Sequence, residues 1–153
     1  MILLVHLLFG AAIGSVVKNI PLAIVLAFFS HYFWDLFPHI EYSIDGTAEK
    51  QWQRRLRIIP KIILDFCVGI LLVSIFSNPS TDSGRVIIYI CALSAILPDG
   101  LIVLNNHWPN RVLEFHNKLH QKTHFLKQRK ISNFWRIASQ VAVVIISTIL
   151  LKI

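Results

Sequence analysis

Seven histidines and a small set of aspartates are the residues here that can do chemistry, and several stand inside apolar runs. His6 lies in the first such run. His31 and Asp35 lie in the second, with His39 just beyond Pro38. Asp65 opens the third, and Asp99 interrupts the fourth within Leu97-Pro98-Asp99-Gly100. An ionisable side chain at membrane depth costs about 2.5–3.5 kcal/mol even on the mildest scale, so each should face a partner, a cavity or an ion. Residues i and i+4 share one helix face. His31 and Asp35 have that spacing, as do His116, His120 and His124 in succession. Imidazole nitrogen with carboxylate oxygen suits a divalent metal, zinc first, with manganese or iron as further candidates. Three histidines at i, i+4 and i+8 extend over about 12 Å of helix axis, so one ion cannot touch all three. Either two ions bind or one histidine has another role; His120, at the centre, is best placed.

Blander readings stand beside this one. His6 alone also reads as a hydrogen-bonded packing residue, and His31 with Asp35 as a buried polar pair. Asp65 also reads as the partner of Lys61, and Asp99 as the cap of a helix break after Pro98. The row at 116, 120 and 124 is interspersed with Lys118, Lys122 and Lys127. A solvated or headgroup-binding helix face would look the same.

The elements that must position these residues follow from composition. Of 153 residues 55% are hydrophobic and only 15% charged, with a formal net charge of +7. Ordinary soluble domains carry about 45–50% apolar and about 25% charged residues, so the class implied is a single integral membrane domain over 1–153. A disordered tail and a disulfide-stapled module are excluded. Cys67 and Cys91 sit within apolar runs and read as packing thiols. Five candidate spans emerge, 2–17, 20–37, 62–77, 86–104 and 137–151, so the fold class is an all-α polytopic bundle with a basic helical loop before the last span. Several runs are short, and the alternative is that one or two are buried hairpin helices. The first run has no basic residue ahead of it and reads as a permanent helix rather than a secretion signal. Pro21 and Pro60 suit helix starts, and 78–84 reads as a turn.

The polar stretches 40–61 and 105–136 carry five and seven of the lysines and arginines, against three elsewhere (Lys18, Arg85 and Lys152). With five spans both stretches lie on one side with the N-terminus, which the positive-inside rule makes cytoplasmic. That topology also brings all seven histidines and Asp35, Asp65 and Asp99 to the cytoplasmic side, although none entered the count.

Val5-His6-Leu7-Leu8-Phe9-Gly10-Ala11-Ala12, then His31-x3-Asp35-x2-Pro38-His39, then Leu97-Pro98-Asp99, together resemble the bacterial inner-membrane metal-dependent hydrolase family. Thr123-His124 after His120 is similar to that family's Thr-His segment, and the family in turn resembles zinc-dependent phospholipase C more distantly. The resemblance implies metal ligands at His31, Asp35 and Asp99, then His6 and His120, and further at His39, His116 and His124. The chain departs from the pattern in two places. Asp99 is followed by Gly100-Leu101 rather than by a further acid and histidine, and His120-Gln121-Lys122 is one residue shorter than the usual run.

These features point to a membrane-embedded metal-dependent hydrolase, with Asp65 as proton acceptor and an anionic, amphiphilic substrate such as a phosphoester at headgroup level. Two other classes compete: a metal-ion transporter, and a non-catalytic scaffold that binds anionic lipid. The His-Glu-x-x-His helix, the Walker loop and the Gly-x-Ser-x-Gly elbow are all absent. Trp108, Phe115, Phe125 and Trp135 intersperse the bases of 105–136. Contact with membrane lipid explains that pattern more simply than nucleic acid, so no nucleic-acid partner is expected.

Overall fold

The computed structural model describes residues 2–40, 48–79, 81–123 and 131–153, and among these it holds six helices and no strand. They are α1 (Leu3–Val16), α2 (Ile20–Asp35), α3 (Ala48–Phe76), α4 (Asp82–His107), α5 (Arg111–Thr123) and α6 (Asn133–Lys152). The chain is all-helical, and three helices are long and apolar enough to cross a membrane: α4, α6 and the Ile58–Phe76 part of α3. Five such spans were expected. α1 and α2, with 14 and 16 residues, rise only about 21 and 24 Å against a hydrocarbon core of about 30 Å.

The reason lies in what surrounds them. α1 packs against α2, α3, α4 and α6, and its Val5, Leu7, Leu8, Ala11 and Ala12 are wholly buried. Its apolar composition therefore serves protein contacts, which hydropathy cannot distinguish from lipid contacts. The outer helices face the other way. α6 exposes the i, i+4 row Ile137, Val141, Ile145 and Ile149 and buries Gln140, Val143, Ser147 and Leu151. Apolar outside and partly polar inside is the pattern of a helix whose solvent is lipid.

Side-chain caps set the starts of α2 and α4. Asn19 Oδ1 accepts the Leu22 N–H at 3.0 Å with Pro21 in the first turn of α2. Thr81 Oγ1 accepts the Gly84 N–H at 3.0 Å at the start of α4. Two more prolines lie inside helices, Pro60 against expectation. α3 begins at Ala48 rather than near 62 and runs through Pro60, and α4 runs unbroken through Pro98. Proline is tolerated inside such helices because neighbouring groups satisfy the backbone that it frees.

Small residues bring three helices together. A methyl group on Gly10 would sit 2.5 Å from Ala95 Cβ and 2.6 Å from the Cys91 carbonyl oxygen. One on Gly14 would press on Cys91 and Ile88. Ala23 and Ala27 of α2 join the same buried cluster with Cys91 and Ala95. Each stripe steps by four residues and ends in a titratable group: Gly14, Gly10, His6 on α1; Ala23, Ala27, His31, Asp35 on α2; Cys91, Ala95, Asp99 on α4. Close backbone approach along these stripes therefore carries these titratable side chains to one end of the bundle.

Candidate metal centre

Four side chains from three helices converge there. His31 Nε2 lies 3.1 Å from Asp35 Oδ2, 3.4 Å from Asp99 Oδ1 and 2.9 Å from His120 Nε2. His120 Nε2 lies 3.4 Å from Asp35 Oδ2 and 3.5 Å from Asp99 Oδ1. Ligand atoms about 2.0–2.1 Å from a tetrahedral ion stand about 3.3–3.4 Å apart. The five separations, 2.9–3.5 Å, bracket that edge. His31, Asp35 and His120 are buried, while the Asp99 side chain is 36% exposed and marks the open side.

The surrounding groups set which atoms point inward. His31 Nδ1 lies 2.8 Å from the Ala95 carbonyl oxygen, which fixes Nδ1 as the protonated donor and leaves Nε2 to face the cluster. Ala95 lies in the turn of α4 that precedes Pro98. A carbonyl oxygen has two lone pairs, so the Ala95 carbonyl can take the His31 N–H in addition to its place in the helix ladder. Asn110 Oδ1 caps the start of α5 on the Leu113 N–H at 2.9 Å. That anchors the helix whose buried residues are Leu113 and His120. His120 therefore enters the site from an amphipathic helix outside the apolar spans.

His6 stacks on His31 with ring centroids 4.0 Å apart, and its Nε2 lies 3.3 Å from Asp35 Oδ1. His39 Nε2 lies 3.9 Å from the same oxygen. Six of the residues singled out from the sequence, His6, His31, Asp35, His39, Asp99 and His120, are thus brought to one carboxylate or its immediate partners. The grouping His6, His31, Asp35 and the grouping His31, Asp99, His120 each place one donor atom per residue within 4.8 Å of the others.

His116 stands beside this set rather than in it. Its Nε2 accepts the Tyr32 hydroxyl at 2.7 Å, and its ring lies 6.1 Å from that of His120. Burial, with His120 and His31 beside it, holds the His116 imidazole below its usual pKa. Asp65 Oδ2 accepts the Leu4 N–H at 3.2 Å, fastening the first turn of α1, where Ile2 supplies no side-chain cap. His107 hydrogen-bonds through Nδ1 to the Val103 carbonyl of its own helix. His124 lies outside the described residues.

Three partners were missed from the sequence. Tyr32 looked like one aromatic among many. Ser139 donates to the Pro38 carbonyl, and Gln140 donates through Nε2 to the Ile40 carbonyl at 3.0 Å, bracketing His39. A Ser-Gln pair near the start of an apolar span was the available signal. The chain matches no family model, no curated protein and no solved structure.

Proposed function

We propose that this chain is a membrane-embedded, metal-dependent hydrolase that acts on a phosphoester presented at headgroup level. One observation carries the reading: the His31 and His120 Nε2 atoms face each other at 2.9 Å, and each lies within 3.5 Å of both the Asp35 and the Asp99 carboxylate. A proton on one nitrogen would satisfy one of these contacts. A cation taking two imidazoles and two carboxylates satisfies all of them, and that donor set suits zinc, then manganese or iron. When bound, a divalent ion supplies Lewis acidity and an acidified water near neutral pH.

The chain's own residues supply the rest. His31, Asp35, Asp99 and His120 hold the ion, and the exposed side of Asp99 admits substrate. Tyr32, whose hydroxyl donates to His116 Nε2, takes a proton as it passes its own to that nitrogen, so His116 is the final acceptor; Asp65 anchors α1. The outward face of α5 exposes Val112, Phe115 and Leu119 beside Lys118 and Lys122, a face suited to anionic lipid. The N-terminus and the basic stretches lie on the cytoplasmic side, as the distribution of bases favours, and the resemblance to inner-membrane metal-dependent hydrolases supports the same class. A transporter fits less well, because the ligating cluster occupies one end of the bundle.

Elemental analysis of the purified protein, wild type against His31→Ala and Asp35→Asn, tests the centre. At least one divalent ion per chain is expected in the wild type and a loss of most of it in each variant. Hydrolysis of phosphatidate vesicles and of a soluble aryl phosphate then tests the reaction. Metal-free wild-type protein, or full occupancy in both variants, refutes the proposal.

A further inference from the structure

We infer that Asp35 bridges two cations, the second held on its other oxygen by His6 and His39; this rests on the reading of the first centre given above. The two oxygens of Asp35 face different histidines. Oδ2 lies toward His31 and His120, at 3.1 and 3.4 Å, whereas Oδ1 lies toward His6 and His39, at 3.3 and 3.9 Å. A buried carboxylate approached on each oxygen by its own pair of imidazole Nε2 atoms is the arrangement of a bridging ligand.

His39 is prepared for this by the same device as His31. Its Nδ1 lies 2.7 Å from the Phe37 carbonyl oxygen, so Nδ1 carries the proton and Nε2 presents its lone pair toward Asp35. The segment that carries it is held on both sides by α6, through Ser139 to Pro38 and Gln140 to Ile40. Gln140 is 8% exposed, a buried amide on the inward face of α6. Such a group is costly unless it is bonded, and here its bond fixes the backbone next to His39.

His6 offers the independent observation. It is 1% exposed, and neither ring nitrogen makes a hydrogen bond among the described residues. Buried polar atoms nearly always have partners, so an imidazole left this way needs an explanation. A cation on Nε2 supplies one, and the 3.3 Å separation from Asp35 Oδ1 is that of two ligands on one ion. Paired ions in hydrolytic sites stand about 3.5–4 Å apart and clamp both the attacking and the leaving oxygen of a phosphoryl group. The second position has three protein ligands against four at the first, so it is the more open of the two and the natural seat for the substrate oxygen.

The test is metal stoichiometry of the full chain in lipid nanodiscs, stripped with chelator, reloaded with Zn²⁺ and desalted. Two ions per chain are expected in the wild type and one in His6→Ala and in His39→Ala. A second measurement guards against variants that fold poorly. Wild-type protein loaded with Mn²⁺ should give the spin-coupled multiline spectrum of a close pair rather than the six lines of an isolated ion. One ion in the wild type, undiminished in both variants and giving six lines, overturns the bridge while leaving the first centre in place. No ion at all overturns both.

Discussion

Gly10→Ala adds one methyl group at the closest approach of α1 to α4, and its consequence for the metal centre can be worked from the geometry. The new Cβ would lie 2.5 Å from Ala95 Cβ and 2.6 Å from the Cys91 carbonyl oxygen. Non-bonded carbons rest about 3.5–4.0 Å apart, so α1 must retreat from α4 by about 1 Å. Backbone cannot fold out of the way as a side-chain tip can, and overpacking of this kind costs about 1–3 kcal/mol. His6 stands one turn further along α1 and moves with it. Metal–ligand distances tolerate only about 0.2 Å, so His6 leaves its position against Asp35 Oδ1 while His31, Asp35 and His120, carried by other helices, stay together. Gly100→Ala is the control, because a Cβ there would meet nothing within 4 Å. Thermal unfolding in detergent and metal content per chain are the assays. Gly10→Ala should melt several degrees lower and lose the ion that involves His6, whereas Gly100→Ala should not melt lower and should keep it. Equal behaviour of the two variants would falsify the argument that α1–α4 contact sets the position of His6.

Three further outcomes are expected. His120→Ala should remove most of the metal or activity at any ionic strength, whereas Lys118→Ala should weaken binding to anionic vesicles in a way that added salt abolishes; identical, salt-sensitive effects would make α5 a headgroup-binding face alone. A cysteine at Ser83 should react with an impermeant thiol reagent from outside intact cells and one at Glu49 should not, and the reverse pattern refutes the cytoplasmic site. Asp65→Asn keeps an oxygen for the Leu4 N–H and should leave hydrolysis within a few-fold, while His116→Ala should lower it far more without releasing metal; the opposite ranking returns the proton-accepting role to Asp65.

Much of the site was legible because helices impose a four-residue repeat on anything that must share a face. His31 and Asp35 announce themselves by spacing, and the cost of burying them announces that they have company. Counting spans and bases placed His6, Asp99 and His120 on the same side as that pair, and the resemblance singled them out as further ligands. Yet the count of spans was itself too high, since α1 is apolar for the sake of its neighbours and not for lipid. The local preference of proline against helix is real, yet α3 continues through Pro60 from Ala48, while α4 runs through Pro98 as the expected span 86–104 does. The role of His39 was legible only as a residue after a helix end. Its orientation depends on Ser139 and Gln140, a hundred residues away in sequence, and no local pattern carries that information.

The location of Asp35 explains why the centre forms at this end of the bundle and not at mid-depth. Asp35 is the last residue of α2, so the chain leaves the helix beside it and can return His39 to the same carboxylate within four residues. A carboxylate in mid-helix would have only its own face and its neighbours' faces to draw on. At the helix end it receives His31 from the turn below, His39 from the segment above, His6 from α1 and His120 from α5. The small residues of α1, α2 and α4 bring the backbones close enough for that gathering, and α5, amphipathic rather than apolar, closes it with His120. Removal of the carboxylate charge in Asp35→Asn should therefore cost more metal than loss of any one histidine, because His6, His31, His39 and His120 all face its two oxygens.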